Sequence, residues 1–403
     1  MSMSTSAPAV TARAQHPRLH FRVILAAFLG LGFYVGVWAV LLADLARALR
    51  LRPDALGVAL SGFSLAGIVT LFAGGRLADR LGRRLVLIGG SGGLGLFFLA
   101  LTAVRSFPAF VGACIVGGLC ASLYDLAMNT LGGDYERVYD TRAMTLLHAG
   151  FSGGAALGAT ASAVALGGGL NYRTVFALAG ALLLVVATLA TRAPLSLATT
   201  EPAHPAARDA ADAAGSRPTP LWRVPGVLLA LAIVGVCFFG DGALEGYTSI
   251  YLRALLGAGA LLGGLGIAAF HLASLAGRLG GTALIRRYGE RAVVTAGGLG
   301  AALGISIAVA TAQPVVAVVG LLLVGLSLAP IVPTGFSLAG HAAPGRGGQA
   351  VSLVTQAGYS AFIISPLVIG GLASVVSLRA ALLLLIVTYG GVAALARRIP
   401  PTA

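Results

Sequence analysis

Apolar residues run along this chain in long stretches, separated by short polar connections. Each stretch reaches about 20 residues, the length that an α-helix needs to cross the hydrocarbon core of a bilayer. The pattern therefore predicts an all-α membrane protein with twelve transmembrane helices. The predicted spans are 20–46, 55–78, 84–104, 107–131, 143–168, 172–191, 224–252, 257–285, 291–312, 314–340, 348–375 and 378–396.

A polar stretch from about residue 193 to 221, rich in Ala, Pro, Thr and Asp, interrupts this pattern once. Such a segment cannot bury enough surface to fold alone, so we interpret it as a flexible linker between two halves of six spans each. The predicted organisation is a cytoplasmic N-terminal tail (1–19), an N-terminal six-helix bundle (20–192), a cytoplasmic linker (193–222), a C-terminal six-helix bundle (223–398) and a cytoplasmic C-terminal tail (399–403).

The composition excludes a water-soluble protein. Of the 403 residues, 58% are hydrophobic and only 10% are charged, whereas a soluble domain carries roughly a quarter charged residues. The three cysteines, Cys114, Cys120 and Cys237, all fall within predicted spans. Because the set is odd and scattered, we interpret the cysteines as packing residues and not as a disulfide framework.

The net charge is +14, and every Lys/Arg position behind it is an arginine, since the chain contains no lysine. These arginines are spread over separate short connections, which argues against nucleic-acid binding. With a cytoplasmic N-terminus, nineteen arginines lie on the inner side, seven lie on the outer side, and Arg278 lies within a span. The positive-inside rule then places both termini in the cytoplasm. The first segment lacks the features of a cleaved secretory signal, so the first span is expected to remain.

A charged motif joins the second and third spans, reading Gly-Gly-Arg-Leu-Ala-Asp-Arg-Leu-Gly-Arg-Arg over residues 74–84. We interpret it as a turn that the flanking spans hold in position. A positive-inside bias explains its charge but not its Gly/Asp/Gly spacing. The motif resembles the loop between helices 2 and 3 of the major facilitator superfamily, Gly-x-Leu-Ala-Asp-Arg-x-Gly-Arg-Arg. This resemblance implies an inner gating element that, with an arginine of span 8, comprises Gly75, Asp79, Arg80, Gly82, Arg83, Arg84 and Arg278.

The second half contains a degenerate copy of this motif. Gly277-Arg278-Leu279 is followed by Arg286-Arg287-Tyr288-Gly289, and Gly289 lies 207 residues after Gly82, close to half the chain. The resemblance implies two pseudo-symmetric six-helix bundles, the major facilitator fold, around a central cavity. Transporters built from repeats bind their substrate near the midplane, between the halves.

Polar residues inside the spans are candidates for function, because a charge at mid-bilayer costs about 2.5–3.5 kcal/mol. In span 4, Asp125 and Asn129 are four residues apart and share one helix face. His148 begins the next span at a matching depth, which makes a carboxylate–imidazole pair with Asp125 plausible. Two alternatives remain open: His148 only packs or caps its helix, and Asp125 is structural.

Span 7 carries a second pair of acids, Asp241 and Glu245, again four residues apart. His271 in span 8 is at a depth that would let it meet Asp241. Burial and a neighbouring like charge both favour the protonated form of a carboxyl group. We therefore expect these groups, with Asp125 and His148, to handle protons. The alternative is a wet vestibule in which both acids stay permanently charged.

Other span residues suit a ligand. Tyr34 and Trp38 are four apart and could form an apolar wall for a sugar ring or another flat ligand, although ordinary helix packing explains them equally well. Gln356 and Tyr359 offer amide and hydroxyl groups to a neutral polar ligand. The substrate-binding candidates are Tyr34, Trp38, Asn129, His271, Gln356 and Tyr359.

A narrower resemblance is to the bacterial branch near the fucose–proton symporters. It is carried by Asp125-x3-Asn129, by the run from Leu147 to Gly154, and by the run from Gly358 to Gly370. It implies proton coupling at Asp125 and substrate recognition at Asn129. Those symporters also carry an aspartate in the middle of span 1, where this chain reads Val37-Trp38.

These observations predict a secondary active transporter that moves a small polar solute, sugar-like among the options, by alternating access. The expected location is the bacterial cytoplasmic membrane, with coupling to protons or, alternatively, sodium. A proton-driven efflux antiporter for drugs or metabolites is the second possibility. A non-transporting sensor lacks the expected extra domain, and an enzyme lacks a catalytic set or metal spacing. Expected partners are a small-molecule substrate, protons and membrane lipids, with no cofactor, no metal and a monomeric state.

Overall fold

Thirteen α-helices form the fold in the computed structural model, which describes residues 17–141, 143–191 and 219–400, without the side chains of 71–80. Within these ranges, twelve spans are long and apolar enough to cross a membrane, with the tenth and eleventh helices together forming one of them, so the predicted all-α class is confirmed. The helices are α1 (Pro17–Ala48), α2 (Pro53–Leu81), α3 (Arg83–Ala103), α4 (Phe107–Tyr139), α5 (Met144–Gly167), α6 (Tyr172–Ala190), α7 (Pro225–Ile250), α8 (Ala260–Tyr288), α9 (Glu290–Ala310), α10 (Pro314–Leu328), α11 (Ile331–Ala342), α12 (Gly347–Val375) and α13 (Leu378–Ala396).

Several helices run further than the hydropathy pattern predicts. Helix α1 begins at Pro17, and α4 continues to Tyr139, where Asp140 ends it in the left-handed conformation with φ 48°. Hydropathy marks the part of a helix that suits hydrocarbon, whereas the backbone hydrogen bonds continue into polar sequence beyond it. The predicted N-terminal tail up to residue 16, residue 192 with most of the linker (193–218), and residues 401–403 lie outside the described residues.

The charged motif is helical and not a turn, contrary to the expectation from sequence. Helix α2 continues to Leu81 and α3 starts at Arg83, so Gly82 alone joins them, with φ 80°. Gly289 joins α8 to α9 in the same way, also with φ 80°. Glycine adopts positive φ without the steric cost that a Cβ brings. The two single-residue links therefore support the internal repeat at the level of backbone conformation.

The two halves pack alike. In the first half, α1 packs on α5, α2 on α4 and α3 on α6; in the second half, α7 packs on α12, α8 on α10 and α9 on α13. Close approach relies on glycine, because a Cβ on Gly36 would lie 2.0 Å from the carbonyl oxygen of Ala155. Between the halves, α5 contacts α8, α2 contacts α12 and α1 contacts α7. These six helices surround the centre of the molecule.

Proline residues occur within two spans of the second half, the tenth and the eleventh. The sequence predicts helix kinks at these positions. The tenth span breaks between Leu328 and Ile331, so that α10 and α11 are separate helices, with Pro330 at the break and Pro333 just after it. Pro366 lies inside α12 without ending it. Helix α8 packs against the break, since a Cβ on Gly277 would lie 2.7 Å from the Ala329 side chain.

Candidate functional site

A cavity of about 270 Å³ lies between the two halves. Its walls come from α1, α2, α4 and α5 on one side and from α7, α8 and α12 on the other. The two ends of the cavity are named after the chain segments that lie there. The terminal end carries the start of α1 and the end of α13, and the opposite end carries the α1–α2 connection. The ionisable side chains in its lining are Tyr34, Asp125, His148, Asp241, Glu245, Arg278 and Tyr359.

Asp125 is hydrogen-bonded at both carboxylate oxygens. The amide Nδ2 of Asn129, one turn further along α4, donates to Oδ1 at 3.0 Å. The hydroxyl of Tyr359 on α12 donates to Oδ2 at 2.6 Å. The first bond lies within one helix, as the four-residue spacing predicts. The second joins the two halves directly across the cavity, and the sequence gives no sign of it.

His148 lines the cavity but does not form the expected pair with Asp125. Its ring packs edge-on against Phe28 of α1, with ring centroids 5.1 Å apart. No hydrogen bond joins its imidazole to Asp125 among the described residues. Equal depth on neighbouring helices does not determine how each helix is rotated about its axis. Here the rotation of α5 places the imidazole against α1.

Arg278 lies in the cavity wall, although the sequence groups it with the inner gating motif. Its Nη1 donates to the main-chain oxygen of His148 at 2.9 Å and to Oγ of Ser152 at 2.5 Å. These bonds connect α8 to α5 and therefore join the two halves. The guanidinium is also within electrostatic range of Asp241 and Glu245. Arg278 is thus the arginine of the cavity lining that interacts with the acids of the second half.

Asp241 and Glu245 both line the cavity from α7. Neither carboxyl group makes a hydrogen bond, or an ion pair within 4 Å, with any side chain that the structure describes. The expected contact of Asp241 with His271 is not formed. His271 is 4% exposed, packs on Phe270 and does not line the cavity, and its Nε2 has no hydrogen-bond partner in the described part of the chain.

The predicted aromatic wall is present in the cavity lining. Trp38 stacks on Phe63 with ring centroids 6.1 Å apart and planes 17° apart, and both rings line the cavity. Tyr34 stacks on Phe98 at 5.0 Å, and its hydroxyl is buried without a hydrogen-bond partner among the described residues. Gln356 is outside the lining and exposed, and its amide donates to Oγ of Ser352.

The gating motif forms contacts within the first half. Arg83 pairs with the buried Asp134 of α4, which also pairs with Arg137 at 3.2 Å. Arg84 is exposed. Gly75, Asp79 and Arg80 lie in the helical part of α2 whose side chains are not described, so this structure places only their backbone.

At the opposite end, a buried ion pair connects the halves. Arg253, in the π-helical turn Tyr251–Leu255 after α7, donates from Nη1 and Nη2 to the two carboxylate oxygens of Asp44 at 2.5 and 2.7 Å. Arg253 is 6% exposed and Asp44 is 13% exposed. From the sequence, Asp44 is expected only to lie at the membrane interface. Its pairing with Arg253 is not predicted, because the two residues are far apart in the chain.

Further hydrogen bonds close the opposite end. Oγ of Ser249 donates to the main-chain oxygen of Val40 at 3.2 Å. The hydroxyl of Tyr247 lies 3.2 Å from the carbonyl oxygen of Pro53 and 2.9 Å from that of Pro366. A tyrosine of α7 therefore holds α2 and α12 together. Sequence reasoning missed Tyr247 and Ser249, although both follow the acidic pair on α7.

Twelve candidate membrane spans in the described residues, arranged in two alike halves with a charged cavity between them, are the architecture of a multi-pass membrane transporter. The chain belongs to the Major Facilitator Superfamily, whose family model matches residues 23–366. This confirms the broad resemblance seen in the Gly75–Arg84 motif. The narrower likeness to the fucose–proton symporters stays a prediction.

Three known proteins illustrate the relationship. An uncharacterized MFS-type transporter of Yersinia pestis is 28% identical over 358 residues, covering 88% of this chain and 89% of the relative. The 3-(3-hydroxy-phenyl)propionate transporter of Escherichia coli K12 is 35% identical over 150 residues, covering 37% of this chain and 36% of the relative. The crystal structure of the nucleoside transporter NupG superposes with a TM-score of 0.74 at 12% identity, covering 95% of this chain and 100% of that one.

Proposed function

We propose that this protein is a proton-coupled secondary transporter that moves a small polar solute across the bacterial cytoplasmic membrane by alternating access. It works as a monomer with both termini in the cytoplasm. The observation that carries the proposal is the set of three carboxyl groups in one cavity between the halves, Asp125, Asp241 and Glu245. Ionised carboxylates are costly inside a membrane protein, so such groups are retained for binding protons or substrate.

Asp125 is the proposed proton-coupling residue because one of its two side-chain hydrogen bonds depends on the position of the halves. The bond from Tyr359 spans the cavity, and a tilt that separates α4 from α12 would break it. Loss of that donor would remove stabilisation of the ionised carboxylate and favour its protonated form. Asn129 would keep its bond within α4 through the tilt and hold the carboxyl group in place.

The pair on α7 supplies the second part of the proposal. Asp241 and Glu245 face the cavity without hydrogen-bond partners among the described side chains, so a proton or a ligand can reach them. Arg278 offsets part of their charge from the neighbouring helix. Arg278 also bonds to α5. Protonation of the acids would weaken their attraction for Arg278, and with it would change the contact between the halves. The ligand would lie among these groups and the rings of Tyr34 and Trp38.

The test is transport by the purified protein in proteoliposomes. L-fucose, uridine, 3-(3-hydroxyphenyl)propionate and 2-phenylethylamine are first screened by thermal shift, and whichever stabilises the protein serves as the transported probe. We expect Asp125→Asn to lose uptake driven by a proton gradient while keeping exchange of labelled for unlabelled probe. The matched control is Asp140→Asn, an exposed residue at the end of α4. Full gradient-driven uptake by Asp125→Asn would refute the assignment.

An efflux antiporter is the second candidate, and the aromatic character of the cavity favours it. Seven aromatic rings line the cavity, which suits hydrophobic drugs or metabolites more than sugars. The rings are Tyr34, Trp38, Phe63, Phe151, Phe238, Tyr359 and Phe362. A deletion strain that becomes sensitive to drugs, and regains resistance with the wild-type gene but not with the Asp125→Asn gene, would identify export.

A further inference from the structure

The cavity contains more negative than positive groups. Its lining carries three carboxyl groups, Asp125, Asp241 and Glu245, and one guanidinium, that of Arg278. Fully ionised, these groups would give the cavity a net charge of −2, counting the imidazole of His148 as neutral. Charges of one sign in a low-dielectric enclosure repel each other strongly. The cavity therefore favours cations, either protons or a cationic ligand.

The single guanidinium is held against the protein wall. Nη1 of Arg278 donates to the main-chain oxygen of His148 and to Oγ of Ser152. Arg278 therefore acts over a distance on the acids of α7 and makes no ion pair within 4 Å with any described side chain. Asp241 and Glu245 remain open to a ligand, whereas Asp125 already holds two donors.

Aromatic rings surround the same space. Trp38, Phe63 and Phe362 are among the lining rings, and an aromatic ring attracts a cation over its face, an interaction worth about 2 kcal/mol when water is excluded. Their flat surfaces also suit an apolar ring in the ligand. The hydroxyl of Tyr34 is buried without a partner in the described chain and lies within electrostatic range of Glu245. A donor from a ligand would satisfy that hydroxyl oxygen.

We propose that the substrate is a small organic cation with a flat apolar body. Its ammonium group binds between Asp241 and Glu245, and its body lies among the rings of Trp38, Phe63 and Phe362. This inference rests on the proposed function, because it takes the same cavity as the binding site of the transported molecule. Since the ammonium group and protons neutralise the same carboxylates, binding of the cation releases protons.

The experiment measures binding to the purified full-length protein by titration calorimetry. The probes share one body and differ in charge: 2-phenylethylamine is cationic, 2-phenylethanol is neutral and 3-phenylpropionate is anionic. We expect the cation to bind at least about tenfold more tightly than the other two, a difference of about 1.4 kcal/mol. Its affinity should rise between a mildly acidic and a mildly alkaline pH, because fewer protons then compete for the acids.

Variants locate the site. Glu245→Gln and Asp241→Asn should each weaken binding of 2-phenylethylamine about tenfold, since each removes one carboxylate facing the ammonium group. Binding of 2-phenylethanol should change little, which shows that the variants are folded. Glu290→Gln, the same change at the start of α9 and outside the cavity lining, should bind the cation as the wild type does.

The outcomes separate this inference from the proposed function. Tighter binding of 3-phenylpropionate or 2-phenylethanol, or unchanged cation binding by Glu245→Gln, would overturn the cationic class. Proton release is followed with a pH dye in a weakly buffered sample. Cation binding without proton release would support the class and count against proton coupling. Binding of the anionic 3-phenylpropionate together with a change in bound protons would count against the cationic class and support proton coupling.

Discussion

The two ends of the interface between the halves are held in different ways. At the opposite end, directional bonds cross from one half to the other: Asp44 with Arg253, Ser249 with Val40, and Tyr247 with Pro53. At the terminal end, the ion pairs and carboxylate hydrogen bonds of the described residues stay within the first half. Arg83 and Arg137 bind Asp134, and Glu136 accepts from the main-chain nitrogens of Ala143 and Met144.

This difference indicates which contacts change during transport. Bonds within one half move with it and survive a tilt of the halves. Bonds between the halves must break for the opposite end to open, so they determine how stable this state is. The structure therefore represents a state closed at the opposite end, with Tyr359 and Asp125 still joined across the cavity. The following predictions test the difference between the two ends.

The largest effect is expected from reversing the charge of Arg253. Arg253→Glu replaces a buried ion pair with two facing carboxylates, and losing a partner from such a pair costs about 3–5 kcal/mol. We expect the opposite end to open. The measurement is labelling of Ser64→Cys, in the cavity lining, by a membrane-impermeant maleimide added from that side, in a protein without its native cysteines. Labelling should be much faster than in the parent.

Two further variants control this experiment. Arg105→Glu makes the same charge change on the same end, but the hydrogen bonds of Arg105 in the described chain go to the main-chain oxygens of the nearby Thr102 and Val104. It should leave labelling unchanged. The double exchange Asp44→Arg with Arg253→Asp restores the opposite charges and should slow labelling again. Slow labelling in Arg253→Glu itself would contradict the closing role of the pair.

An intermediate effect is expected from adding one methyl group at the same end. A Cβ on Gly370 would lie 2.4 Å from the Tyr247 hydroxyl and 2.5 Å from the Pro53 carbonyl oxygen. Gly370→Ala should destabilise the closed end by about 1–3 kcal/mol through overpacking. The neighbouring Gly371 has open space around it, so Gly371→Ala should be neutral or slightly stabilising. Equal labelling rates of Ser64→Cys in the two variants would disprove this packing argument.

The smallest effect is expected at the terminal end. Glu136 accepts from the nitrogens of Ala143 and Met144 at the start of α5, where a carboxylate also interacts favourably with the helix dipole. Glu136→Gln should lower the stability by about 1 kcal/mol, seen as a lower melting temperature in detergent. Because this contact lies within one half, labelling of Ser64→Cys should not change. Faster labelling would show that the terminal end also controls the opposite end.

The sequence predicted the architecture well because length and hydropathy are local properties. The twelve spans, their order and the repeat around Gly82 and Gly289 follow from residues close in the chain. Partners across the cavity could not be predicted. Equal depth predicts a pair of Asp125 with His148, but depth does not determine helix rotation, and Asp125 accepts a hydrogen bond from Tyr359 instead. Asp44 and Arg253 are likewise brought together only by the packing of the halves.

The break in the tenth span has a consequence for the stiffness of the two halves. Pro330 and Pro333 have no N–H group, so the carbonyl oxygens of Leu326 and Ala329 receive no helical hydrogen bond from them. These two missing bonds lower the cost of bending at this level, whereas α4, its counterpart in the first half, is continuous from Phe107 to Tyr139. The tenth span thus gives the C-terminal half a point of weaker helical hydrogen bonding, and its counterpart α4 has no comparable break in the described chain.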